Sequence, residues 1–251
     1  MKYTELHCRD DIFKVLNNHW HMNDDSVLPP MFHGTDSSLI DISEKDRKII
    51  NEACEIIIKT VYKLFRESSI SITNHNLIEV KNSYTSAADY YAKAGGRIND
   101  NPLYRYGDFY VTNDPSVASG YSKEAWILGE TGATANMLIE GAYKLGFDLP
   151  NNEAFISAYE ILQKRKLRPK APVILVVTDC LYSELYTMGG IKILNDGNEY
   201  YPNLINELKS KGTRYSYRIG RSSLEKDAVV YLVKPNQYQD LIDIYESISF
   251  I

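Results

Sequence analysis

The chain has 251 residues, 44% of them hydrophobic and 24% charged, with a formal net charge of −5. That composition belongs to a folded globular protein with room for a ligand cleft. Its acidity excludes a basic field over the whole surface, though not a local basic groove. Cys8, Cys54 and Cys180 are far apart, odd in number and form no CxxC pair. They indicate neither a zinc site nor a disulfide framework, and the setting expected is the cytoplasm. The N-terminal MKYTELHCRDDIF lacks the apolar core of a signal peptide. No apolar run approaches the roughly 18 residues of a membrane span.

In chain order, residues 5–22 predict a helix through Leu6, Ile12, Phe13, Val15, Leu16 and Trp20. His7, His19 and His21 lie there too, but residues two apart do not share a helix face, so no metal site is expected. Residues 27–35 read as turn, short strand, turn. Residues 43–66 predict a long helix, with Ser43 as N-cap and Asp46 three residues on as an acidic variant of the capping box. Ile49, Ile50, Ala53, Ile56, Ile57, Val61 and Leu64 hold helical spacing for core packing. Residues 69–82 read as a strand or hairpin and 83–94 as a short helix stopped by Gly95-Gly96.

A short strand follows over Tyr106–Thr112. Asn113-Asp114-Pro115 then opens a helix to Glu130, with proline at a first helical position. Further helices are predicted over 132–145 and 151–165, with Gly146 as a C-terminal breaker. The continuous run VILVVT at 173–178 predicts a buried strand. Residues 182–220 are mixed, AVVYLV at 228–233 is a second clear strand, and 240–249 fits a strand or a short helix. The expectation is one α+β domain over 1–251, with helical insertions at about 43–94 and 132–165. Twenty tyrosines suit sheets, and also ring-stacking sites.

Three places carry chemistry. Phe32-His33-Gly34-Thr35 follows two prolines. Gly107-Asp108-Phe109-Tyr110-Val111-Thr112 leads into a helix bearing Ala118 and Tyr121. Glu225 and Asp227 precede the strand at 228–233. Singly, each has an ordinary reading as turn, core packing or solvated loop. In this order they resemble the ADP-ribosyltransferase superfamily, and more narrowly its His-Tyr-Glu branch, which includes the diphthamide-directed toxins and the poly-ADP-ribose polymerases. Tyr110 and Tyr121 are eleven residues apart, the spacing of the two tyrosines that enclose nicotinamide in that branch.

The resemblance implies a split β-sheet core around an NAD cleft. It implies that His33 holds the adenosine-side ribose of NAD, as an imidazole can by hydrogen bonding. Gly34 would bring backbone groups to the carboxamide with no Cβ in the way, and Thr35 would support the turn. Tyr110 and Tyr121 would sandwich the nicotinamide ring. A carboxylate would stabilise the positive charge that builds on the ribose as the glycosidic bond breaks. The family acid is a glutamate opening a strand. Here Asp227 has that position and Glu225 has the chemistry and the same parity, and both remain candidates. Ala118 stands where the polymerases have a serine, with Ser119 on a different helical face.

The implied function is mono-ADP-ribosyl transfer from NAD to a macromolecule, protein or nucleic acid. Analogy with small stand-alone members adds the role of a bacterial or phage toxin or defence effector with an antitoxin or inhibitor partner. The alternatives are RNA 2′-phosphotransfer, against which Tyr110 stands where a further histidine is expected, NAD glycohydrolysis, and a degenerate module that binds NAD or ADP-ribose. Arg97, Tyr104, Arg105 and Tyr106, close before the second motif, suit either base stacking with phosphate contact or a protein interface.

Overall fold

The computed structural model describes residues 2–21, 26–67, 109–123, 129–144, 146–168, 171–186, 208, 216–220, 224, 226 and 228–248. In chain order the elements are β1 (Thr4–Glu5), α1 (Arg9–Trp20), β2 (Met31–Asp36), α2 (Ser37–Ile40), α3 (Glu44–Glu67), β3 (Phe109–Thr112), α4 (Pro115–Lys123), α5 (Gly129–Lys144), α6 (Glu153–Lys166), β4 (Pro172–Thr178), β5 (Leu185–Tyr186), β6 (Ser216–Ile219), β7 (Val229–Val233) and α7 (Tyr238–Ser247). This mixture is compatible with the α+β class. The elements expected at 69–82 and 83–94 lie outside the described residues, as do Arg97, Tyr104, Arg105 and Tyr106. The chain divides into two compact units, Met1–Ile40 with Gly107–Ala125 and Ala171–Ile251, and Asp41–Tyr106 with Trp126–Lys170.

The second unit packs α3, α5 and α6 around Ala53, Cys54, Ile57, Ile58, Val61, Leu138, Ala142, Phe155 and Leu162. Local chemistry sets its helix ends. The Ser43 hydroxyl accepts from the Asp46 N–H at 3.0 Å, the N-cap half of a capping box, and donates to the Asp46 carboxylate at 2.7 Å. The Asn152 side chain accepts from the Phe155 N–H at 2.9 Å. Gly146 has φ +75°, a left-handed value that glycine adopts without strain. Ile49 and Ile56, expected in the core, are 40% and 37% exposed. The buried stripe of α3 is rotated toward Cys54 and Ile58.

The first unit is built on a seven-stranded mixed sheet of order β1-β7-β4-β2-β3-β6-β5. Its pairs are antiparallel except β1 with β7. β4 is apolar from Pro172 to Val177 because both its faces are covered. Val173, Leu175 and Val177 join Met31, Phe109, Val111, Tyr217 and Ile219 on one side. Ile174 and Val176 join Phe32, Ala118 and residues of α1 and α7 on the other. The edge-on ring pairs Trp20–Tyr245 and Phe32–Tyr245, at 5.5 and 5.8 Å, lock α7 over this second face. The C-terminal segment is therefore the helix of its two expected forms. His19 Nδ1 lies 3.3 Å from Asp179. No group of side chains able to hold a metal ion occurs among the described residues, and no described helix is long and apolar enough to cross a membrane.

Helix α4 lies on β2 with its backbone. A Cβ built on Gly34 would stand 1.8 Å from the Ala118 carbonyl oxygen and 2.7 Å from the Ser122 nitrogen. Nothing flexible stands in between, so a side chain at 34 must push main chain. Gly34→Ala is expected to cost about 3 kcal/mol or more, the upper range for overpacking. Urea denaturation checks this, and a change below about 0.5 kcal/mol would contradict the contact.

Candidate functional site

The sheet places the first two motifs side by side although they are far apart in sequence. β2 and β4 are paired along all of β2, from Met31↔Val177 to Asp36↔Pro172. β3 and β6 are paired along all of β3. Between these two ribbons the ladder has a single pair, Phe32↔Thr112. If that register continued, Gly34 would face Tyr110. The strands part instead, and the His33 side chain spans the opening. Its Nδ1 lies 2.6 Å from the Tyr110 carbonyl oxygen, and its ring meets Phe109 edge-on with centroids 4.7 Å apart.

This bond fixes the tautomer of His33. A carbonyl oxygen only accepts, so Nδ1 carries the proton. Burial pushes the pKa from 6.5 down to about 4, outweighing the upward pull of the Tyr110 carbonyl. The ring is therefore neutral at pH 7, and Nε2 presents a lone pair suited to a hydroxyl donor. The unfolded chain binds a proton at His33 below pH 6.5 that the folded protein refuses. The stability due to this group is present above that pH and is lost as pH falls from 6.5 toward 4.

Side-chain alternation distributes the remaining groups. His33 shares its face with Met31 and Phe109. Tyr110 shares the opposite face with Phe32, Gly34 and α4. A ligand lying in the opening between β2 and β3 can meet both. Gly34 has two compatible uses. Its missing Cβ admits α4, while its peptide groups lie in the plane of the sheet, perpendicular to that contact.

Helix α4 begins at Pro115, after a two-residue link from β3. The Asp114 carboxylate caps it, accepting from the Ser116 N–H at 2.8 Å and the Ser116 hydroxyl at 2.6 Å. Ala118 and Ser119 are both buried. Tyr121 is 57% exposed and flanks the stripe that touches Gly34, about 80° round the helix at about 100° per residue.

One expectation changes here. Thr35 does not support a turn, because β2 continues through Asp36 and Thr35 is buried within it, opposite Val173. The turn is tied by Asp36, whose buried carboxylate accepts from the Ser38 N–H at 2.8 Å and the Ala171 N–H at 2.9 Å. The strand that follows the late acids, β7, pairs with β1 and β4. β4 and β2 separate it from β3. Asp227 and Glu225 themselves lie outside the described residues.

The strand beside β3 is β6, and the residue opposite Tyr110 is Arg218. Arg218 is 1% exposed, with its guanidinium carbon over the Tyr110 ring, 5.6 Å from the centroid. Sequence reasoning missed it, because β6 is four residues inside a segment without clear periodicity. The alternation in Tyr215-Ser216-Tyr217-Arg218-Ile219 was the signal available. Protein-family models, curated proteins and solved structures were all compared with the chain, and none matches it.

At neutral pH the imidazole is expected to be protonated at Nδ1, bare at Nε2 and silent to titration between pH 8 and 5. Long-range ¹H–¹⁵N correlation spectra of the histidine rings check this. A His33 titration near 6.5 would contradict the assigned tautomer and its burial.

Proposed function

We propose that the protein is an NAD-dependent mono-ADP-ribosyltransferase that cleaves the nicotinamide–ribose bond and passes ADP-ribose to a macromolecule. The observation that carries the reading is the opening between β2 and β3. Two motifs 77 residues apart, His33-Gly34-Thr35 and Tyr110-Val111-Thr112, stand on neighbouring strands that pair once and then separate, with His33 bonded across the opening to Tyr110. A neutral histidine with a bare Nε2 suits a ribose hydroxyl. A glycine backbone suits a carboxamide, and an aromatic face suits a flat heterocycle.

In this reading His33 binds a ribose, Gly34 the carboxamide, and Tyr110 with Tyr121 the nicotinamide. Asp227 or Glu225 remains the proposed acid that orients the nucleophile. A second reading is favoured by Arg218. A cation as the cross-strand partner of Tyr110 suits a module that binds NAD or ADP-ribose without efficient transfer.

Incubation with labelled NAD and a cell lysate separates the two. Transfer predicts macromolecular label that protease or ribonuclease removes, according to the acceptor. His33→Ala and Tyr110→Ala should each reduce it by ~100-fold or more, the scale of losing substrate positioning, while thermal melts stay cooperative. Full labelling in both variants would overturn the site. Saturable NAD binding with neither label nor nicotinamide release would favour the binding module. Nicotinamide release without label would mark a glycohydrolase.

A further inference from the structure

We infer that the face formed by α5 and α6 of the helical unit binds single-stranded nucleic acid, and that this is the class of acceptor for ADP-ribose. The second half rests on the proposed transfer, whereas the binding surface stands on the helical unit alone. Charge is divided unevenly between the two compact units. The helical unit holds sixteen lysines and arginines against fourteen aspartates and glutamates, and the sheet-bearing unit twelve against nineteen. Cations of the helical unit collect in Lys164-Arg165-Lys166-Leu167-Arg168-Pro169-Lys170, and no acid occurs between Glu160 and Asp179. One or two cations at a helix C-terminus answer the helix dipole. Five in seven residues exceed that need, and such a run is the pattern of a polyanion site.

Arg165 is buried, while Lys164, Lys166 and Arg168 are exposed around the end of α6. The carboxylate neighbours of the two lysines are loosely held and wet. Lys164 Nζ lies 3.8 Å from Glu160, and Lys166 Nζ lies 3.8 Å from Glu140. Exposed pairs of this length are worth little, so a phosphate can take either ammonium. The Glu140 contact also joins the two helices, and Tyr143 lies one turn beyond Glu140 on α5. Tyr143 is 58% exposed, and its hydroxyl is hydrogen-bonded to that of Tyr159 on α6. The Tyr159 ring is 11° from parallel to the Phe155 ring, with centroids 6.3 Å apart. An exposed ring held at its hydroxyl end thus borders the same surface as the Lys166 ammonium. Bases of a single strand stack on such rings while neighbouring cations take the phosphates. A duplex hides the faces of its bases and an anionic lipid surface has none, so the ring favours the single strand.

The test titrates the full chain into fluorescent oligo-dT and oligo-U strands of about 20 nucleotides and follows anisotropy, with thermal melts to establish folding of each variant. The wild type should bind with a Kd of roughly 10 µM at physiological salt, and log affinity should fall against log salt with a slope near −2, for about three phosphates at roughly −0.7 each. K164Q/K166Q/R168Q should flatten that slope and weaken binding about tenfold or more. Y143A should weaken binding about fivefold or more, the loss of one stacked base, and Y143F should bind as the wild type does because the ring remains. A wild-type Kd above about 1 mM at low salt would overturn the inference whether or not the variants fold. So would unchanged affinity in the folded triple variant or in folded Y143A, or equal binding of a DNA duplex, polyglutamate or anionic vesicles. Labelled NAD with a lysate separates this inference from the reading beneath it. Label removed by nuclease supports both. Label removed by protease alone overturns the acceptor class and leaves transfer intact. Strand binding without any label ends the transferase reading and the acceptor role with it, while the binding surface stands.

Discussion

Helix α4 touches strand β2 backbone to backbone because residue 34 has no side chain, and the geometry around His33 follows from that contact. The helix begins after a two-residue link from β3, capped by Asp114 and started by Pro115. It ends its contact with β2 at Ala118 and Ser122, over Gly34. Three elements are thus tied at short range: β3 through the turn, α4 through the glycine, and β2 through its full ladder with β4. Within this frame β2 and β3 keep one pair, Phe32↔Thr112, and then separate. The backbone hydrogen bonding that a longer ladder would have supplied is replaced in part by a side chain, the Nδ1–H of His33 on the Tyr110 carbonyl.

Two features of the charge at this opening follow from the fold. His33 is neutral, held so by burial that takes its pKa to about 4. Among the described residues, the guanidinium of Arg218 lies over the Tyr110 ring, on a strand paired with β3 along its length. Asp36, at the end of the same strand, is occupied by two backbone N–H groups and serves to join β2 to the start of β4.

What the sequence made legible was local. The capping box Ser43–Asp46, the cap at Asp114 with Pro115, the left-handed Gly146 and the unbroken apolar run of β4 are each written in a few adjacent residues. Each appears in the structure as its chemistry requires. What it hid was non-local. The order of strands in the sheet decides which late strand stands beside β3. A position just before an apolar run does not carry that information, so the acids at 225 and 227 drew attention to β7. β6 is short, carries a buried arginine at an inward position and lies in a segment of mixed pattern, so its pairing with β3 was invisible. Thr35 looked like a turn residue because the length of β2 depends on its partner β4, not on its own composition. Ile49 and Ile56 matched the period of α3, but the helices it packs against select a stripe one residue over. Gly34 was legible as a site of close approach, though its neighbour proved to be a helix of the protein itself.

On the proposed function, the opening between β2 and β3 receives NAD with His33 on a ribose and Tyr110 on the nicotinamide. A crystal structure of the protein with NAD tests it most directly. The account predicts a ribose hydroxyl within about 3 Å of His33 Nε2 and the nicotinamide ring stacked on the face of Tyr110 away from Arg218. NAD bound elsewhere, or bound with His33 Nε2 and the Tyr110 ring both untouched, would contradict it.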